Sequence, residues 1–223
     1  MRILALVSLA CLALGQDRPP LLFREDWRET PAATPITQEH VANPALVLAL
    51  YGPGHAGIKK SHHDKPADDP YYIWSGTANG NWAVTLRHRE SFADLTGLAR
   101  IRWRSKQAGF RQLRIVVKLA DGKWLVSDLS DGPSIDWREA DFPVGAIGWR
   151  ALKMPAVIEG NWVDKPDLSK VDEIGFTDLM TGGESAACSR LDWIEVYGRA
   201  IARVVRSHNA TRSLLAGTSA DRR

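Results

Sequence analysis

Between Leu21 and Gly198 the chain consists of short apolar or alternating runs cut by Gly, Pro, Asn and Asp, with almost no sustained 3.6-residue period. The runs that predict strands are Leu21 to Trp27, Leu46 to Tyr51, Tyr72 to Ser75, Trp82 to Arg87, Ala99 to Ser105, Gln112 to Ala120, Lys123 to Asp128, Trp137 to Phe142, Trp149 to Met154, Glu173 to Asp178 and Ser189 to Tyr197. Such segments, without a long helix or a long apolar run, predict an all-β chain folded as two packed antiparallel sheets. The best-specified hairpin runs from Gln112 to Asp128, where Asp121-Gly122 supplies a two-residue turn that sets Ala120 against Lys123 and Leu119 against Trp124. On that register Leu113, Ile115, Val117, Leu119, Trp124 and Val126 share the core face, and Arg114, Val116, Lys118, Lys123, Leu125 and Ser127 share the other. Before it, Ile101 and Trp103 alternate with Arg100, Arg102 and Arg104.

The two ends read differently. Met1-Arg2 followed by the apolar run Ile3 to Leu14 has the form of a signal peptide, too short for a stable span, with Ala13 and Gly15 at the −3 and −1 positions of a cut before Gln16. Residues 1–15 are therefore expected to be removed. The competing lipoprotein reading through Cys11 is weakened by Ser8 and by the apolar run beyond the cysteine. The mature protein is expected to be secreted or periplasmic, to keep no transmembrane span and to retain only Cys188, so that its core holds by packing without a disulfide. From Arg199 to Arg223 the text becomes a basic tail, read as solvated or, with Ile201, Val204 and Val205 at helical spacing, as a short amphipathic helix. One domain, residues 16–198, is expected between them.

Composition adds two points. The 223 residues carry 29 Lys+Arg and 26 Asp+Glu, a formal net charge of +3. Setting aside Arg2 and the basic tail leaves 22 basic against 25 acidic residues, so the body is slightly acidic and a nucleic-acid partner is not expected. Nine tryptophans outnumber five phenylalanines and four tyrosines. A surplus of large flat apolar rings suits either a sheet core or a platform for sugar rings.

Four segments occur in a recognisable order: Asp94-Leu95-Thr96-Gly97 before an arginine-rich strand, then Asp136 to Phe142 opening on Trp137, then Asp167-Leu168-Ser169 to Phe176, and finally Ser189-Arg190-Leu191-Asp192-Trp193-Ile194-Glu195-Val196-Tyr197. This punctuation, over roughly residues 94–198, resembles the galactose-binding-like jelly rolls, especially the complex I intermediate-associated protein 30 type and the related carbohydrate-binding modules. The resemblance implies an antiparallel β-sandwich of jelly-roll type. It also implies a structural Ca²⁺ where the first and last strands meet, with Glu25 or Asp26 and Asp192 in sequence position to ligate it. The closing-strand text is similar as well to the laminin-G or concanavalin-like sandwiches, which stand as the alternative fold. The first half, Phe23 to Ser75, carries no family motif and is similar to secreted proteins of polysaccharide-degrading bacteria.

The densest polar segment is Gly57 to Gly76, whose two prolines and Asp-Asp-Pro step predict a loop. It gathers His62, His63, Asp64, Tyr71, Tyr72 and Trp74, an inventory suited to a saccharide: ring faces for C–H surface and polar groups for hydroxyls. Trp82 and Trp162, both preceded by Gly and Asn, sit at loop-to-strand junctions where a ring can stay exposed, whereas Trp103, Trp124 and Trp193 are expected in the core. Arg102, Arg104 and Lys118 add cations on strand faces. The ordinary structural alternatives are a solvated loop whose Tyr72 and Trp74 turn inward, and a wet strand face.

The sequence thus predicts a carbohydrate-binding protein that recognises a plant or microbial polysaccharide and requires no cofactor. The first alternative is an enzyme on an acidic glycan. A polysaccharide lyase would draw its proton acceptor from His62, His63, Tyr71 or Tyr72 and its carboxylate-neutralising cations from Arg102, Arg104, Arg114 and Lys118. For a glycosidase, Glu25, Asp26, Asp128 and Glu139 are available but form no alternating acidic strand. No catalytic set stands out. A transition-metal site at His62-His63-Asp64 is disfavoured, because adjacent histidines in a loop do not readily aim at one ion and no third histidine or cysteine follows at useful spacing, His88 being the nearest. The second alternative is a structural envelope protein without a ligand.

Overall fold

The structure is a computed structural model that describes residues 18–76, 78–180 and 187–203. Its strands are β1 Leu21–Glu25, β2 Leu46–Tyr51, β3 Lys59–Ser61, β4 Tyr72–Trp74, β5 Ala83–His88, β6 Ser91–Asp94, β7 Arg100–Gln107 and β8 Leu113–Leu119. They continue with β9 Trp124–Asp131, β10 Arg138–Pro143, β11 Trp149–Lys153, β12 Ile158–Val163, β13 Val171–Thr177, β14 Ser189–Tyr197 and β15 Arg199–Ala202. All ladders between them are antiparallel, and the two sheets make the β-sandwich that the run pattern predicts.

The first sheet has the order β10-β7-β14-β4-β3, with β1 also pairing the C-terminal half of β14. The second has the order β12-β11-β9-β8-β13-β5-β2, with β6 and β15 joined to it through β13. Between the sheets lie Phe23, Ile73, Ile101, Trp103, Leu191, Ile194 and Val196 of the first, against Leu46, Val84, Leu86, Leu113, Ile115, Val117, Ile174 and Phe176 of the second. These alternate along their strands, with a bulge in β14 between Leu191 and Trp193 that shifts the inward set from Leu191 to Ile194 and Val196, and burial of that shared face is the main force holding the layers together.

The β8–β9 hairpin departs from the predicted register. Leu119 N–H donates to Lys123 O, Gly122 takes φ +89°, and Lys118 stands opposite Trp124. The loop thus has three residues, with glycine in the left-handed position that such loops require. One residue of slip reverses the faces of β9: Leu125 enters the main core, while Trp124 and Val126 turn outward. There they join Ala83, Val116, Leu152 and Tyr51 in a second apolar cluster closed by Met154 and Val157 of the β11–β12 turn.

Two boundaries also move. Residues 199–202, expected in the tail, form β15 on β6, so the domain extends past Gly198. Lys59–Ser61, inside the expected loop, pair with β4. Cys188 is buried and free. The expected leader with its cut before Gln16, and the tail beyond Arg203, lie outside the described residues.

Candidate functional site

The β3–β4 hairpin forms one edge of the first sheet and carries the predicted loop residues on its connection. The His62 imidazole stacks on Tyr71, with centroids 4.0 Å apart and planes 14° from parallel. Both rings are part-exposed, and Lys60 Nζ approaches the centroid of Tyr71 to 4.0 Å. One turn on, His63 Nδ1 lies 3.0 Å from Asp69 Oδ2 and 3.1 Å from the Tyr72 hydroxyl, while the His63 N–H donates to the same carboxylate oxygen at 2.8 Å. Tyr72 is buried, and burial pushes its phenol above the ordinary tyrosine range, so it remains a neutral hydrogen-bonding group. Its ring meets Trp137 at 5.3 Å, and Arg104 lies 5.6 Å from the Trp137 ring. Asp64 is exposed on the same loop.

Trp74 faces outward from β4 with Lys59 5.4 Å from its ring centroid. Gly76 lies flat against the indole: a Cβ there would overlap Trp74 Cε2 and Cζ2, so the turn needs glycine to let the ring lie down. The outer face of the first sheet thus presents His62–Tyr71, Trp74 and Trp137 as part-exposed rings, with His63, Asp69, Lys59 and Arg104 among them. Trp137 was visible in the sequence as the residue opening a hairpin, but nothing local marked it as a partner of a loop some sixty residues earlier.

The arginine row beside this site is occupied by acids. Arg100 pairs with Asp141 at 3.2 Å, and Arg102 with Glu139 at 2.8 Å and Glu195 at 3.1 Å. Arg104 pairs with Asp192 at 2.8 Å, and Arg24 with both Asp26 and Glu195 at 2.6 Å. Four guanidinium groups meet five carboxylates, so this face carries no surplus positive charge for a uronate. Trp193 lies on this outer face as well, 4.4 Å from Arg24 and 5.8 Å from Arg102, rather than between the sheets.

The remaining predicted residues lie elsewhere. Trp82 is 1 % exposed in the main core, edge-on to Phe176, because it stands one residue before β5 in the same alternation as the inward-facing Val84 and Leu86. Trp103 is fully buried, as expected. Lys118 belongs to the outer face of the second sheet, where it donates to Glu173 at 2.9 Å; that buried carboxylate also accepts from Thr85 at 2.6 Å and Tyr51 at 3.0 Å. Trp162 stands at the far edge of the same sheet, on β12, and is 58 % exposed.

The calcium ligands implied by the resemblance do not converge. Glu25 turns into the fold, where its carboxylate accepts from the backbone N–H groups of Trp27 (2.8 Å), Ala42 (2.7 Å) and Asn43 (3.0 Å). Burial nonetheless pushes its carboxyl above the ordinary glutamate range. Asp26 is held by Arg24 and Asp192 by Arg104. Among the described residues no group of three or more His, Cys, Asp or Glu side chains is placed to hold a metal ion, at these positions or at His62-His63-Asp64.

No family model matches the chain, and no curated protein is similar to it. Among solved structures it is similar to the family 11 carbohydrate-binding module of a cellulosomal cellulase of Clostridium thermocellum, with 13% identity, coverage of 81% of this chain and 95% of that one, and a TM-score of 0.44. The same organism's family 11 module in complex with a β-1,3-1,4-mixed-linked tetrasaccharide gives 16% identity, 75% and 95% coverage and a TM-score of 0.46. A variant family 29 carbohydrate-binding module gives 13%, 79%, 93% and 0.42.

Proposed function

We propose that this protein is an exported carbohydrate-binding module that holds a neutral plant or microbial polysaccharide on the outer face of the first sheet. The observation that carries the reading is the set of part-exposed rings, His62–Tyr71, Trp74 and Trp137, bordered by the Asp69–His63–Tyr72 hydrogen-bonded chain. Rings take the C–H face of a sugar and fixed polar groups take its hydroxyls, and here the rings stand at or next to the ends of β3, β4 and β10. Preference for an uncharged glycan follows from the arginine row, whose charge is met by Asp26, Glu139, Asp141, Asp192 and Glu195. For the same reason the lyase reading gains no support: Arg102 and Arg104 are paired, and the Tyr72 phenol is held protonated.

The test is affinity electrophoresis of the mature protein through gels containing mixed-linkage glucan, xylan, glucomannan, galactan or polygalacturonate. Retardation by at least one neutral polymer is expected, weakened tenfold or more by Tyr71→Ala or Trp137→Ala. Equal retardation of wild type and both variants would overturn the site, and unsaturated product released from polygalacturonate would overturn the binding-only reading. Mass measurement of the exported chain, beginning at Gln16, tests the leader.

A further inference from the structure

The connection from β10 to β11 and the segment that follows β12 enclose a pocket of about 540 Å³, bordered by Val144, Ile147, Gly148, Trp162, Asp164 and Leu168 among others. That volume falls within the roughly 300–1,000 Å³ of small-molecule sites. Three features distinguish it from a surface irregularity. The first is Trp162, the one tryptophan among the large exposed apolar side chains of the described residues. Its ring is fixed: Arg150 stacks 4.2 Å from the centroid and donates to Gly160 O at 3.3 Å, and the indole edge lies so close to Gly148 that a Cβ there would come within 2.9 Å of Cζ3. Cation stacking and close packing leave the rest of an exposed indole in one orientation, without an entropy cost on binding.

The second is the rim. Asp164 and Lys165 form no ion pair and no side-chain hydrogen bond with any described residue, although almost every other charged group near this edge is paired. One free acceptor and one free donor set with no net charge match the alternating hydroxyls of an uncharged sugar. The third is the backbone: Lys165, in the pocket lining between Asp164 and Pro166, is held at φ +42°, a conformation that costs about 1–2 kcal/mol for a side-chain-bearing residue.

We infer that this pocket is a second saccharide site, taking one neutral pyranose ring against Trp162 with Asp164 and Lys165 on its hydroxyls. The choice of sugar as ligand rests on the function proposed above; the pocket itself does not. It adjoins the C-terminal end of β10 and the edge strand β12 of the second sheet, whereas the first site lies on the outer face of the first sheet, with Trp137 before the opposite end of β10, about 20 Å away along that strand. Trp162 belongs to an edge strand of the second sheet and the first site to the outer face of the first, so the two do not share one face. They fit two chains, or a chain and a branch end, so the protein can bridge polymers and gain avidity without a second domain.

The experiment is an amide-proton NMR titration of the mature protein with methyl β-glucopyranoside, methyl β-galactopyranoside, methyl α-mannopyranoside and methyl β-xylopyranoside in turn. At least one glycoside is expected to shift the backbone signals of Gly148, Trp162 and Asp164 together with the Trp162 indole proton. Those shifts are expected to vanish in Trp162→Ala, to need at least threefold more sugar in Asp164→Ala, and to persist unchanged in Tyr71→Ala. If no glycoside moves these signals while a polysaccharide still binds through Tyr71, the pocket inference falls and the proposed function stands. If the pocket signals move and Tyr71→Ala leaves polysaccharide binding intact, the pocket stands and the first site falls. Silence toward every glycoside and every polymer overturns both.

Discussion

The ammonium group of Lys60 lies 4.0 Å from the centroid of the Tyr71 ring, beneath the pair that Tyr71 forms with His62, although Lys60 itself is completely buried. Its hydrogen-bond acceptor is the carbonyl of Thr30, and no carboxylate of the described residues pairs with it. Burial lowers its pKa from the ordinary 10.5 to about 8. The ring that would meet a sugar therefore rests on a charge that the fold holds at a cost.

That cost is measurable. Between pH 8 and about 10.5 the unfolded chain binds a proton at Lys60 that the folded chain has lost, so stability rises with pH across this window. Lys60→Met removes the buried charge and is expected to be more stable than wild type at pH 7 by up to about 3 kcal/mol, less the hydrogen bond to Thr30. The difference should close by about pH 10.5. Urea unfolding of both proteins at the two pH values checks it; a pH-independent difference would show that Lys60 is not the titrating group.

Asp192 titrates in a lower range. It lies almost buried against Arg104, and desolvation outweighs that partner to lift its carboxyl from 3.8 to about 6. The folded chain then holds a proton that the unfolded chain lacks between about pH 4 and 6, so stability is highest at the acid end and falls as pH rises through 6. The full span is up to about 3 kcal/mol. Glu25 and Asp178 are shifted in the same direction by burial, so the reading lies in the difference: Asp192→Asn should flatten part of the slope between pH 4 and 6 and leave the remainder.

The alternation of Ile101 and Trp103 with three arginines placed β7 on a half-buried sheet, and the paired residues confirm it. All the predicted strands are present, because each buries one face at the two-residue period. The strands that escaped notice are Lys59–Ser61, Ser91–Asp94, Ile158–Val163 and Arg199–Ala202: they are short or polar, lie at or near sheet edges, and take their shape from a neighbour rather than from a hydrophobic face of their own. The β9 faces were misread because Asp-Gly fits both a two-residue and a three-residue loop, and only the Leu119 to Lys123 hydrogen bond distinguishes them. Of the site, the stacked His62–Tyr71 pair was legible as an inventory within one loop. Trp137 beside Tyr72, and the acids of β10 and β14 that meet the β7 arginines, depend on strand order, which a single sequence does not display.

Gly175 marks the point of closest approach between β13 and β5. A Cβ there would overlap Val84 O and come within 2.6 Å of Thr85 Cα, both backbone atoms with nowhere to go. Gly175→Ala should therefore push the two strands apart and cost at least about 3 kcal/mol, a large value for one methyl group. The adjacent Thr85 to Glu173 hydrogen bond of 2.6 Å should be strained with it. Thermal unfolding of the variant, compared with Gly122→Ala where the added Cβ meets open space and only the positive φ opposes it, separates crowding from backbone strain.

Three tryptophans on different surfaces allow the sidedness of the sandwich to be tested by one substitution each. Trp103 is fully buried between the sheets and donates to Asp131 at 3.0 Å, so Trp103→Ala leaves both a cavity and a buried carboxylate short of a donor; the expected loss is about 3–5 kcal/mol. Trp193 is nearly as inaccessible, but what covers it is the guanidinium groups of Arg24 and Arg102 on the outer face, and these can settle over the gap. Trp193→Ala is expected to cost about 2 kcal/mol, made up of lost apolar contact and two cation–π contacts. Trp162→Ala, at an exposed ring, should change stability by less than about 1 kcal/mol while removing sugar binding at its pocket. Denaturant midpoints at unchanged m-value give the three numbers directly. If Trp193→Ala proved as costly as Trp103→Ala, β14 would have to present Trp193 to the core, and the register that sets it opposite Arg104 would be wrong.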